Sequence, residues 1–323
     1  MNRIDVSIVI PTFNRQESLV RTLDSLFNQT YPQENFEIIV VDGGNDDTEK
    51  IIRDIEKSHP NIRYIKQYDR GASSARNLGI NNSRGEIVGF TDDDCVVDPG
   101  WIEHAVRSLQ NLEFCGVQGI ILPEKKIQLK NKIWGYADVP TCTGKENYFS
   151  FPTCNIFYRK KYLIEISGFD KELTYSEDDD LAFRLIEKGY KIHFNKNMIV
   201  YHEVRYLNII KYVFKRLKRK ETVPLFFKKH PKFRDRFFLK TFVPSHVYII
   251  FAIGTLIIYL LNLDITIPVL FTLFAFLATR VFIDQKYKMM PVRVLFFWRY
   301  FIIDFASVYY HVKGSIKYKS LLI

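Results

Sequence analysis

At 323 residues the chain is long enough for one large α/β domain with something smaller beside it. Lys and Arg number 46 against 36 Asp and Glu, a net charge of +10, and 27 Phe and 19 Tyr are the other departure from an ordinary folded composition. The four cysteines (Cys95, Cys115, Cys142, Cys154) have no CxxC or Cys/His ligand spacing, which argues against a zinc site or a disulfide framework and for reduced cytosolic thiols.

In chain order, Met1 to Asp5 run straight into an apolar strand, Val6 to Ile10, with no signal peptide visible, so the N-terminal part is expected to stay in the cytosol. A helical stretch from Glu17 to Phe27 follows. Phe36 to Val41 then precedes Asp47 to Glu56, Ile62 to Ile65 precedes Ser73 to Ile80, and Glu86 to Phe90 precedes Trp101 to Leu109. Phe114 to Ile121 closes the series. Alternating strands and helices predict an open, doubly wound, mostly parallel sheet with helices on both faces. Ligands of such sheets sit at the carboxyl ends of strands, near the point where strand order reverses. The unusual polar residues fall at those ends.

Pro11-Thr12-Phe13-Asn14-Arg15, with Glu17 behind it, is the first such end, and Val41-Asp42-Gly43-Gly44-Asn45-Asp46-Asp47-Thr48 is the second. Asp42 can accept hydrogen bonds from a base or a ribose, and the glycines let the backbone approach a ligand; a plain turn with a helix cap reads equally well. It is not GxGxxG, so a Rossmann dehydrogenase is disfavoured. Gly71 to Gly79 brings small residues into a helix with Arg76 and Asn77, suited either to holding a diphosphate or to close packing with a surface arginine. At the end of the fourth strand stand Asp92-Asp93-Asp94. Alternation along an extended chain points Asp92 and Asp94 to one side and Asp93 to the other. Two converging carboxylates suit Mg²⁺ or Mn²⁺, which share their remaining positions with phosphates.

Pro123 to Ser150 is irregular, a substrate-covering loop or an insertion, and Thr153 to Lys160 is a further strand candidate. Glu177-Asp178-Asp179-Asp180 then open a helix that runs to Lys188-Gly189. Acids suit a helix N-terminus, but four exceed what capping needs, and one aimed into a cleft can serve as a general base. His202 follows the strand-like Met198 to Tyr201.

In order and combination these segments resemble the family 2 glycosyltransferases over roughly residues 4 to 205: Val6 to Asn14, Val41 to Thr48, Gly71 to Gly79, Gly85 to Trp101, Gly168 to Leu185 and Val200 to His202. The resemblance implies an inverting enzyme of GT-A fold, a doubly wound mixed sheet. It implies that Asp42 contacts the nucleobase, that Asp92 and Asp94 form the DxD pair with Asp94 the direct metal ligand, and that Asp178, beside Glu177, is the catalytic base. His202 matches a position that helps hold metal or diphosphate in some relatives. Pro11, Thr12, Asn14, Glu17, Arg76 and Asp93 complete the expected donor-binding set. The second motif is a residue shorter than the common form, so the counterpart of its second Asp is Asp46 or Asp47. QxxRW, the motif of processive synthases, is absent, which argues for transfer of one sugar per event.

Beyond Tyr206 the character changes. Residues 207–241 form a basic juxtamembrane segment: between Lys211 and Lys240 twelve Lys and Arg face only Glu221 and Asp235, a surplus equal to the whole net charge. The segment 242–323 is expected to be a membrane region, with spans at about 242–261 and 266–283 and an interfacial, re-entrant or third spanning helix at about 294–310. The turn between the spans lacks Lys and Arg, so the positive-inside rule places the catalytic domain, residues 1–206, in the cytoplasm of a multi-pass membrane protein. Beside a span, anionic lipid is a better partner for the basic belt than nucleic acid.

The expected function is thus transfer of a single sugar from a nucleotide donor, UDP-sugar favoured over GDP-sugar by family weight, to a polyprenyl phosphate or lipid-linked saccharide. A soluble or protein acceptor, or a non-catalytic sugar-nucleotide-binding scaffold, are the alternatives.

Overall fold

The computed structural model of the chain describes residues 4–124, 136–138, 150–207, 209–211, 213–214, 217–236, 254, 261 and 297–321. These fall into two compact units, one of residues up to Gln128 and Ala137–Tyr206, the other of Leu129–Tyr136 and the chain from Leu207 on.

The first unit is built on β1 (Val6–Thr12), α1 (Gln16–Phe27), β2 (Phe36–Asp42), α2 (Thr48–Ile55), β3 (Ile62–Lys66), α3 (Ala72–Asn82), β4 (Ile87–Phe90), β5 (Cys95–Val97), α4 (Trp101–Ser108) and β6 (Phe114–Pro123). It is completed by β7 (Ile156–Arg159), α5 (Lys160–Glu165), α6 (Glu177–Glu187) and β8 (Lys191–His202). One eight-stranded sheet runs β3-β2-β1-β4-β7-β6-β8-β5. Strands β1 to β4 are parallel; β7 pairs antiparallel with both β4 and β6, and β5 pairs antiparallel with β8. The sheet is mixed, as the GT-A resemblance implies, and not mostly parallel as the alternation of elements alone predicts.

Burial explains the strands. Every residue of β2 is buried, as are Val6 to Ile10 of β1, because helices cover both faces of the parallel half. Helix α1 buries Leu19, Thr22, Leu23 and Leu26, one stripe at helical spacing. Gly79 lets α3 lie directly on β1, since a Cβ there would meet the Val9 side chain. On the far half Trp101 is fully buried and donates from Nε1 to Asn155 Oδ1 at 2.8 Å. Asn155 in turn donates to the Ile120 carbonyl at 2.7 Å and the Met198 carbonyl at 3.1 Å, tying α4, β6, β7 and β8 together.

The chain runs from β1 outward to β2 and β3, then returns to place β4 on the other side of β1. This reversal puts the carboxyl ends of β1, β2 and β4 around one crevice, which is where Thr12, Asp42 and Thr91-Asp92 stand.

In the second unit, α7 (Val223–Lys229) and the two-turn 3-10 helix Leu217–Thr222 pack with α8 (Phe297–Tyr318), and a second such helix, Pro231–Arg236, packs on α7. Ser307, His311, Gly314 and Ser315 of α8 are buried, while Phe305, Tyr309 and Ile316 are exposed. Lys313 and Lys317 reach Glu221 at 2.7 and 3.2 Å. This helix begins near the expected one at 294–310 and carries on to Tyr318, taking in both lysines. Among the described residues no helix is long and apolar enough to cross a membrane. Apart from Gly254 and Leu261, the two expected spans lie outside the described residues.

Candidate active site

The crevice is assembled from three acidic segments held together by two arginines. Thr91-Asp92-Asp93-Asp94 leaves β4, and the side chains separate there. Asp93 turns to the β1 end, accepting from Thr12 Oγ1 and Arg15 Nη1, both at 2.8 Å. Arg15 also donates to Asp94 at 3.1 Å. Burial pushes Asp93 up to about 6 against the pull of Arg15, with Asp94 adding to the rise and Thr12 opposing it. Sequence reasoning gave Arg15 no role; its signal was position alone, since nothing in PTFNR says that the side chain folds back over the triplet.

Asp92 and Asp94 meet His202 at the end of β8, with a ligand atom of each within 4.8 Å of the others. His202 Nε2 lies 3.3 Å from Asp94 Oδ1, while Nδ1 lies 3.0 Å from the Glu203 carbonyl. A carbonyl only accepts, so Nδ1 carries a hydrogen toward Glu203 and Nε2 is the ring atom turned to the carboxylates. Two carboxylates and an imidazole so arranged fit a divalent cation of the Mg²⁺ or Mn²⁺ class.

Arg76 decides between the two readings of its helix. Its side chain is 6% exposed, so it is no surface residue. Nη2 reaches Asp92 and Nη1 reaches Glu177, each at 3.1 Å, and the guanidinium lies 5.6 Å from the centre of the Phe169 ring. Burial works against the charge, but Asp92, Glu177 and Asp178 outweigh it and hold Arg76 protonated. One side chain thereby couples the triplet after β4 to the acids that open α6.

Those four acids have four different tasks. Glu177 binds Arg76. Asp179 accepts from the Phe151 backbone at 2.8 Å. Asp180, fully buried, pairs with Arg184 at 2.8 Å, and Arg184 also donates to the Ile166 and Gly168 carbonyls at 2.6 and 2.7 Å. Asn77 grips the same turn from α3, accepting from Phe169 N at 2.7 Å and donating to Phe169 O at 2.8 Å. The turn is held from two helices, and the start of α6 is thereby placed. Asp178 is left at the half-buried start of the helix. Desolvation and then the charge of Glu177 push it up to about 7, with Arg76 opposing.

Asp42 is fully buried at the end of β2. Its Oδ1 accepts from Gly44 N at 2.6 Å and its Oδ2 from Tyr64 Oη at 2.9 Å and Lys66 Nζ at 3.3 Å. The glycines beside it answer to packing within the protein. A Cβ on Gly44 would fall 2.6 Å from Asn14 N and closer still to Asn14 Oδ1, which accepts from Asn45 N. Asn14 itself adopts a left-handed backbone (φ 52°). Gly44→Ala is therefore expected to destabilise the chain by about 1–3 kcal/mol, as overpacking does. Chemical denaturation measures it, and an unchanged midpoint would mean that the Asn14 loop yields freely. Pro11 is half-buried in β1 and Glu17 is exposed in the first turn of α1.

Residues 7–167 match the family described as Glycosyl transferase family 2. Among curated relatives, Glycosyltransferase AglE of Haloferax volcanii is 29% identical over 62% of this chain and 67% of its own length. The Methanococcus voltae dolichyl N-acetyl-alpha-D-glucosaminyl phosphate 3-beta-D-2,3-diacetamido-2,3-dideoxy-beta-D-glucuronosyltransferase is 27% identical over 60% and 65%. The Campylobacter jejuni GalNAc(5)-diNAcBac-PP-undecaprenol beta-1,3-glucosyltransferase is 29% identical over 58% and 62%. The match thus takes in about two thirds or less of these relatives' lengths. Among solved structures, the mannosyltransferase PcManGT of Pyrobaculum calidifontis, in complex with GDP-Man and Mn²⁺, shares the fold at TM-score 0.60, covering 99% of this chain and 88% of that one at 19% identity. Staphylococcus aureus TarS 1-349 with UDP-GlcNAc does so at TM-score 0.52, 18% identity, 69% of this chain and 66% of that one. The mixed sheet is of the GT-A kind.

Proposed function

Because residues 7–167 match glycosyl transferase family 2, we propose that the chain moves one sugar from a nucleotide-sugar to a lipid-linked saccharide, with inversion, at the cytoplasmic face of a membrane. The observation that carries this reading is the Arg76 bridge. It brings a carboxylate pair suited to a cation and a carboxylate suited to a base into one crevice at the strand ends.

Asp92, Asp94 and His202 would hold the divalent cation, which when bound neutralises the diphosphate leaving group. Asp178 takes the proton of the acceptor hydroxyl as it attacks the anomeric carbon from the face opposite the leaving group, which inverts the configuration. A carboxyl lifted to about 7 is matched to that task near neutral pH. Asp42, Asn14 and the strand ends around them form the donor's nucleoside side of the crevice. UDP is preferred over GDP on family weight alone.

The acceptor reading draws on the relatives' names, two of which specify lipid carriers that already bear sugar. Such an acceptor offers a hydroxyl whose proton must go somewhere, which gives Asp178 work that a bare lipid phosphate would not. Transfer assays on the full chain with UDP- and GDP-sugars, Mn²⁺ or Mg²⁺, and bare or glycosylated polyprenyl carriers test it. Transfer only to the bare phosphate, or equal transfer to acceptors without a lipid tail, would overturn it. Asp94→Ala should abolish the dependence of donor binding on the cation, read by titration calorimetry.

Membrane attachment rests on the apolar runs 242–261 and 266–283, the basic belt before them, and the exposed Phe305, Tyr309 and Ile316 of α8. A chain ending at Tyr206 should stay in the soluble fraction, whereas the full chain sediments with membranes. Sedimentation of the short chain would put the anchor elsewhere.

A further inference from the structure

Spacing along the chain argues against a cysteine metal site, yet the fold gathers what the sequence separates. Cys95 opens β5 directly opposite His202 of β8 in the antiparallel register, so the two side chains stand on the same face of the sheet. Cys154 arrives from the single turn Thr153–Asn155 that precedes β7. The Sγ atoms of Cys95 and Cys154 and a ring nitrogen of His202 all lie within 4.8 Å of one another. Both cysteines are free thiols, 0% and 1% exposed.

Buried cysteines are commonly no more than small apolar side chains. Here the imidazole sets the pair apart. Nδ1 is turned to the Glu203 carbonyl 3.0 Å away, so Nε2 faces inward, toward the region where Asp94 Oδ1 lies 3.3 Å away. His202 therefore stands between two donor sets of opposite character. With Asp92 and Asp94 it makes an oxygen-rich set for a hard cation; with Cys95 and Cys154 it makes a sulfur-rich set for a soft one.

We propose that Cys95, Cys154 and His202 form a second cation site, for a thiophilic divalent ion of the Zn²⁺ class, that shares His202 with the carboxylate set and so competes with the hard cation. Three protein ligands with one position left open is a recognised zinc arrangement. Binding displaces one proton from each thiol, leaving two thiolates on the cation. Because the histidine cannot serve both sets at once, a thiophilic ion removes one ligand from the carboxylate set. This competition rests on the function proposed above; the site itself does not.

Cd²⁺ is the probe, added to the purified full chain in detergent. One Cd²⁺ per chain should bind with a sulfur-to-metal charge-transfer band. Cys95→Ser and Cys154→Ser should each weaken that binding by about tenfold or more, at least the cost of disturbing a ligand's supporting partner. Cys115→Ser and Cys142→Ser should leave it unchanged. In the unmodified chain, cadmium NMR should report sulfur ligation, a readout that survives if a serine variant fails to fold. Excess Mn²⁺ should lower the apparent Cd²⁺ affinity. A chain without the band, a band that depends on Cys142 instead, or a cadmium resonance typical of oxygen ligands alone overturns the site. Cd²⁺ binding that is indifferent to Mn²⁺ overturns the sharing of His202. None of these readouts requires sugar transfer, so they stand apart from the test of the enzyme reading.

Discussion

Asp178→Asn is expected to lower transfer to a sugar hydroxyl by about 10²–10⁴-fold while donor binding is retained, the usual contribution of a positioned general base. Asparagine keeps the size of the side chain and removes only its capacity to take a proton. The active form of Asp178 is the ionised one, and burial together with Glu177 places its midpoint at about 7. The unmodified enzyme should therefore gain rate as pH rises through about 7 and level off above it, and the variant should lose that limb. The stability effect runs the other way. An unfolded aspartate ionises near about 3.9, so the folded chain holds an extra proton between there and about 7, and stability falls as pH rises across that window. Above it the variant should melt at a higher temperature than the parent, a gain in stability that accompanies loss of activity. Rates and thermal melts across the same pH series measure both. Full activity in the variant, or an unmoved rising limb, would remove Asp178 from the base role.

The parts of this fold legible in the sequence are those whose cause is local. Val6 to Ile10 and Phe36 to Val41 read as strands because burial on both faces demands near-continuous apolar runs, here interrupted only by Ser7 and Glu37, which bond each other at 2.7 Å. Their polar ends read as a crevice because parallel sheets place ligands there. What depends on distant partners was not legible. Cys95–Val97 is three residues long, too short for any periodicity, and exists as a strand because β8 pairs with it. Thr153–Asn155 looked like strand but turns, since the Asn155 side chain is needed across the sheet. The acids of α6 showed as a cluster, but only the fold assigns Glu177 to Arg76, Asp179 to the Phe151 backbone and Asp180 to Arg184. Arg15 and the Cys95, Cys154 and His202 trio were hidden for the same reason: their partners lie from 48 to 107 positions away in sequence.

Arg76→Met is expected to cost about 3 kcal/mol or more at neutral pH, because removing one partner of a buried ion network leaves the others uncompensated. Methionine fills much of the space and can still lie on Phe169, so the loss reports charge rather than volume. Asp92 and Glu177 would face each other across the vacated position with no cation between them. Asp178, whose midpoint Arg76 now pulls down, should titrate higher, and the rising limb of the rate profile should move to higher pH by the same displacement. Arg76→Lys should recover only part of either effect. An ammonium supplies the charge but not the planar fork that reaches Asp92 from Nη2 and Glu177 from Nη1 at the same time. Acidification should narrow the stability gap between Arg76→Met and the parent, since protonated carboxyls no longer need the guanidinium. Denaturant titrations at several pH values, paired with rate profiles of the three chains, separate a structural role from an electrostatic one. If Arg76→Met were destabilised yet kept the parental midpoint, Arg76 would be a tether for α6 and the coupling between the two acidic segments would be mechanical. A shifted midpoint would mean that the same guanidinium that joins the segments also sets the pH at which the base works.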